Sequence, residues 1–90
     1  MSRPAATSYE LTPNALADLN YWQRNRPELI TKIDSLISAA MQNPQTGIGK
    51  PESLRFELSD CYSRRITLQD RMIYRLDGKT LIIISLRAHY

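Results

Sequence analysis

The chain is poor in the residues that build specialised sites: one cysteine, one histidine, one tryptophan, one phenylalanine and three glycines among 90 residues. A lone Cys61 excludes an internal disulfide and a cysteine-only zinc site. A lone His89, with no carboxylate–histidine helical pattern, leaves no convincing metal-ligand set, so neither a metal nor another cofactor is expected. No apolar run approaches the roughly 18 residues of a membrane span; the longest, Leu81 to Ile84 with Leu86 beyond it, is strand-sized. The opening Met1-Ser2-Arg3-Pro4-Ala5-Ala6-Thr7-Ser8 has no hydrophobic stretch, which predicts no secretory signal and a cytoplasmic protein. Gly47-Ile48-Gly49-Lys50 lacks the spacing and the hydroxyl of a phosphate-binding loop, and no nucleophile elbow occurs.

What is present is an ordinary globular composition, 42% apolar and 23% charged, at a length that suits one domain. The net charge of +3 is unevenly placed. Residues 1–45 hold four bases and four acids, whereas residues 46–90 hold eight bases against five acids, and six of those eight bases are arginines. Arginine favours planar, bidentate contact with an anion such as phosphate. A solvated basic sheet face would carry the same charge without a partner.

The pattern predicts an α+β domain over residues 9–90 behind a frayed leader, residues 1–8. A short strand around Tyr9-Glu10-Leu11 precedes Thr12-Pro13, which reads as a helix cap and first turn. Leu16, Leu19 and Trp22 recur at helical spacing. Arg26-Pro27-Glu28 restarts a helix whose stripe is Leu29, Ile30, Ile33, Leu36, Ile37, Ala40 and Met41. Asn43-Pro44 stops it, and a glycine-bearing loop follows to Pro51. From there the period is two: Leu54, Phe56 and Leu58 alternate with polar residues, and strands are predicted over Tyr62–Thr67, Arg71–Leu76 and Thr80–Arg87. Asp77-Gly78 marks the last hairpin. Two helices on one face of a twisted, mainly antiparallel sheet of four to five strands follow from this order.

A hairpin turn centred on Leu68 sets Arg65 opposite Arg71, both on the face away from Met72, Tyr74 and Leu76. Two arginines directly across a sheet repel unless an anion or a carboxylate lies between them. His89, the sole imidazole, is the natural proton donor or acceptor near neutral pH, although a terminal histidine is more often plain surface. Glu52, after Gly49-Lys50-Pro51, is a general-base candidate that, taken alone, is only a loop carboxylate.

The order of these strings resembles the YoeB/Txe-type toxins of the RelE superfamily. Tyr21-Trp22-Gln23, Gly47-Ile48-Gly49-Lys50-Pro51-Glu52 with Leu54, Leu58-Ser59, Ser63-Arg64-Arg65-Ile66, Arg71 with Tyr74, and Arg87-Ala88-His89-Tyr90 carry the resemblance over about residues 9–90. It implies a ribosome-dependent endoribonuclease that cleaves mRNA without a metal, a homodimer, and a cognate YefM-like antitoxin as partner. By position, the resemblance gives Glu52 as general base, His89 as general acid and Arg65 as the stabiliser of phosphate charge. Lys50, Arg55, Arg71 and Tyr90 become substrate-binding residues. Three positions depart from the family pattern: Arg55 for lysine, Tyr62 for tryptophan and Asp70 for histidine. A non-catalytic ParE-like inhibitor on the same scaffold is the competing reading, and the joint presence of an acid and a base candidate counts against it.

Overall fold

Thr12-Pro13 begins the first helix as the sequence predicts. In a computed structural model that describes residues 3–89, helix α1 spans Pro13–Asn25. Extended Thr12 accepts the Ala15 amide on its hydroxyl at 3.1 Å, and Pro13 fills a position that needs no amide partner. Arg26-Pro27 restarts the chain through one 3-10 turn, Pro27–Leu29, before α2 runs over Ile30–Gln42. α2 buries Ile33, Leu36, Ile37 and Ala40, most of the predicted stripe. α1 buries only Ala15 and Trp22, and Leu16, expected on its apolar face, is half exposed.

Five strands form one sheet: β1 (Ser8–Leu11), β2 (Glu52–Ser53), β3 (Tyr62–Arg65), β4 (Asp70–Asp77) and β5 (Thr80–His89). Their order is β1-β5-β4-β3-β2, with β1 parallel to β5 and every other pair antiparallel. β5 is therefore paired on both sides, which suits the run from Leu81 to Ile84. Met72, Tyr74, Leu81, Ile83 and Leu86 meet the helices in one core. Asp77 pairs with Thr80, so Gly78-Lys79 makes the two-residue turn, with Gly78 at φ +61°.

Two expectations need correction. The leader is not frayed where it is described. Ala6 is in the core and its amide donates to the Met41 carbonyl at 2.9 Å; the Thr7 amide donates to Lys79 at 2.8 Å. Parallel pairing of Ser8 with Thr80 forces the preceding residues past the hairpin turn and the end of α2. The alternation at Leu54, Phe56 and Leu58 is not a strand either. β2 has two residues, the ladder closes with Leu54 donating to Cys61 at 3.0 Å, and Phe56–Leu58 is a 3-10 turn. β2 lies at the sheet edge, and Phe56, at φ +60°, is 89% exposed.

β5 also slips twice against β4, once between the pairs of Tyr74 and Ile73 and once between those of Ile73 and Arg71. Such bulges free backbone groups, and α1 takes them up. Thr12 Oγ1 donates to the Ile84 carbonyl at 2.9 Å, Asp18 Oδ2 accepts the Leu86 amide at 2.9 Å, and Trp22 Nε1 donates to the Leu86 carbonyl at 2.8 Å. These contacts fix how the last turn of α1 meets the end of β5.

Candidate active site

The loop that delivers Glu52 is held by Arg64, a fully buried arginine. Strand alternation puts Arg64 on the helix-covered face beside Tyr62 and Ile66, and that phase was the signal by which the sequence could have shown it. Its Nε donates to the Tyr74 hydroxyl at 2.8 Å, Nη1 to the Ile48 carbonyl at 2.8 Å, and Nη2 to the carbonyls of Asn43 and Thr46 at 2.6 and 2.7 Å. The Tyr74 hydroxyl in turn donates to the Pro44 carbonyl at 2.6 Å. Burial pushes the Tyr74 phenol up, against the opposing pull of the Arg64 guanidinium, so it stays a neutral donor. Gly49 closes the loop: at φ +85°, a Cβ there would lie 2.6 Å from Leu36 Cδ2. Its carbonyl accepts the Arg65 amide at 2.7 Å, which sets the chain onto β2.

On the other face of the sheet, Glu52 pairs with Ser63 across β2 and β3, and Arg65 pairs with Arg71 across β3 and β4, as the Leu68-centred turn predicts. Arg71 points to the expected face, but it is 4% exposed instead of open to solvent. Its Nη1 donates to Ser63 Oγ at 2.6 Å and to Glu52 Oε2 at 3.3 Å. A carboxylate thus sits beside the arginine pair and relieves its repulsion. The structure brings Glu52, Ser63, Arg65 and Arg71 onto one surface, with the Glu52 side chain 46% exposed above it. Lys50 and Arg55 flank Glu52 as exposed side chains on the same connection.

His89 stands elsewhere. It pairs with Asp70 at the end of β4 and β5, and its Nε2 lies 3.5 Å from Asp70 Oδ1. Asp70 Oδ2 accepts the Thr67 hydroxyl at 2.8 Å, so the carboxylate is fixed from the turn side. Asp70 and Arg71 are consecutive in β4 and face opposite ways. His89 accordingly lines a cavity of about 640 Å³ with Asp70 and with Tyr21, Trp22 and Asn25 of α1, and Glu52 is not part of that wall. Ala88, opposite Arg71, is the link between the two surfaces. Tyr90 lies outside the described residues. Among the described residues no cluster of three or more His, Cys, Asp or Glu side chains could hold a metal, and no helix is long and apolar enough to cross a membrane.

The chain superposes with a TM-score of 0.88 on the YoeB/ParE toxin from Agrobacterium tumefaciens, at 35% identity and covering 93% of this chain and 100% of that one. The class is thereby a small α+β toxin of the RelE superfamily. Within it, the profile of the YoeB-like toxins of bacterial type II toxin–antitoxin systems matches residues 11–90, and the chain belongs to that family. A curated relative, Toxin YoeB of Synechocystis sp., is 42% identical over 73 residues, 81% of this chain and 85% of that one. The Staphylococcus aureus YoeB has been solved in a heterotetrameric complex with YefM and as a dimer. Both are 36% identical, with TM-scores of 0.83 and 0.85, and cover 91% and 92% of this chain and 95% and 97% of theirs.

Proposed function

We propose that this toxin is a ribosome-dependent endoribonuclease that cleaves mRNA and so stops translation. The observation that carries the reading is the exposed carboxylate of Glu52 set against the buried Arg71, with Arg65 across the ladder on the same face of the sheet. RNA carries its own nucleophile. A base that takes the proton from a ribose 2′-hydroxyl lets that oxygen attack the adjacent phosphorus, and the bond to the 5′-oxygen of the next nucleotide breaks. An acid then protonates that 5′-oxygen, leaving a 2′,3′-cyclic phosphate and a 5′-hydroxyl. Glu52 is the base, and His89, one residue past the Ala88 that pairs with Arg71, is the acid that reaches the phosphate from the neighbouring wall. Arg65 meets the charge that grows there, with the buried Arg71 assisting from beneath. These roles need no metal. Lys50 and Arg55 meet the backbone on either side of Glu52, and Tyr90 positions the substrate. A YefM-like antitoxin is the partner by which the producing cell controls the activity, in line with the S. aureus complex, and the toxin acts as a homodimer in the cytoplasm.

The test is induction in cells followed by mapping of mRNA 5′ ends, comparing the toxin with Glu52→Gln at equal soluble levels. New ends at ribosome-occupied codons, absent with Glu52→Gln, are expected. DNA damage that depends on gyrase, with no new mRNA ends, would overturn the reading in favour of a ParE-like inhibitor.

A further inference from the structure

The cavity at the end of α1 has three features that the Glu52 surface does not use. The first is a preformed stack: the Arg87 guanidinium lies 3.5 Å over the centre of the Tyr21 ring, and Tyr21 meets Trp22 edge-on at 5.4 Å. The second is the burial of Arg87 Nε, which has no hydrogen-bond partner among the described residues, so the guanidinium is held by the ring and not by an acceptor. The third is an acceptor that lines the same cavity, the carboxylate of Asp70, held in place by Thr67. A planar cation on an aromatic ring is a surface on which unstacked RNA bases settle, and an acceptor beside it meets an amino group on the base edge.

We infer that this cavity is a nucleobase-binding pocket in which an RNA base adds a further layer to the Tyr21–Arg87 stack. At about 640 Å³ the space is within the range of small-ligand sites. Its place also assigns the nucleotide. His89 is two residues beyond Arg87 on β5, about 6.6 Å along a strand, which is roughly the reach from a base to its own 5′-oxygen. The nucleoside in the pocket is the one on the 3′ side of the cut, whose 5′-oxygen departs. Binding of the base stands on the cavity alone; its assignment to the leaving nucleotide rests on the endoribonuclease reading.

Trp22 is the only tryptophan and lines the cavity, so its emission reports occupancy without any cleavage. The full-length toxin is titrated with adenosine 5′-monophosphate and, separately, with ribose 5-phosphate, which has the phosphate but no base. Saturable quenching by the first and not the second is expected. Tyr21→Leu, which removes the aromatic plane, and Arg87→Lys, which keeps only a point charge, should each weaken nucleotide binding about fivefold or more. Tyr21→Phe should restore it. Equal quenching by ribose 5-phosphate would make this an anion site and overturn the proposal, as would binding unchanged in both Tyr21→Leu and Arg87→Lys. Circular dichroism of each variant guards against loss of fold. In ribosome-bound mRNA cleavage the same two variants should raise KM and hold kcat. Nucleotide binding by a protein that cleaves no mRNA would keep the pocket and refute the endoribonuclease reading. Cleavage without nucleotide-dependent quenching would do the reverse.

Discussion

Arg64→Met tests whether the site is built from beneath. The substitution removes a fully buried guanidinium that donates to one hydroxyl and three carbonyls. Hydrogen bonds from a charged donor contribute about 1.5–3 kcal/mol each, but the three carbonyls belong to a surface loop and can turn to water. Methionine also removes the cost of burying a charge. The net loss is then about 3 kcal/mol, a large share of the roughly 5–15 kcal/mol that holds a small domain folded. A domain of this size loses about 4–8 °C in Tm per kcal/mol, so Tm should fall by roughly 12–24 °C. Arg64→Lys keeps the charge without the fork and should fall in between. Thermal unfolding by circular dichroism gives Tm, and limited proteolysis should nick Arg64→Met between Asn43 and Lys50, where the wild type resists. A Tm within about 3 °C of wild type, with no new nick, would refute the argument that this arginine clamps the loop carrying Glu52.

Arg65→Ala should lower the rate of ribosome-bound mRNA cleavage about 10²–10³-fold while ribosome binding, measured by co-sedimentation, holds, because phosphate charge grows in the transition state. Asp18→Ala should cost about 1–3 kcal/mol in denaturant unfolding, since it strands the Leu86 amide at a bulge of β5; no loss would mean that water replaces the carboxylate. Cys61 is buried, and that burial, reinforced by Asp60 beside it, pushes the thiol up, so little thiolate exists at neutral pH. Alkylation by iodoacetamide at pH 7.5 should be far slower in the native protein than in urea, and equal rates would contradict the burial.

Local chemistry was legible wherever one residue decides the backbone. Thr12-Pro13 gave the helix start, Gly78 the hairpin, and the turn centred on Leu68 gave the Arg65–Arg71 pair. What depended on a neighbouring strand was not legible. The alternation at Leu54, Phe56 and Leu58 is genuine in the residues, but the ladder with β3 closes at Leu54 and Phe56–Leu58 turns the chain back as a 3-10 turn. Arg64 reads as one more basic residue until its phase is compared with Tyr62 and Ile66. The two slips in β5 are absent from any pattern of period two, and they help decide which surface Arg87 and His89 join. Both candidate proton-transfer residues could therefore be named from the sequence, but not their separation onto two walls, nor Asp70 as the partner of His89.

The chemistry of the newly made RNA ends tests the central claim most directly. Purified toxin would be added to ribosomes carrying a defined mRNA, and both fragments analysed after a single turnover. The account predicts a 2′,3′-cyclic phosphate on the upstream fragment and a 5′-hydroxyl on the downstream one. It also predicts that Glu52→Gln and His89→Gln each slow cleavage about 100-fold or more. Downstream fragments ending in a 5′-phosphate, or full-speed cleavage by either variant, would contradict it.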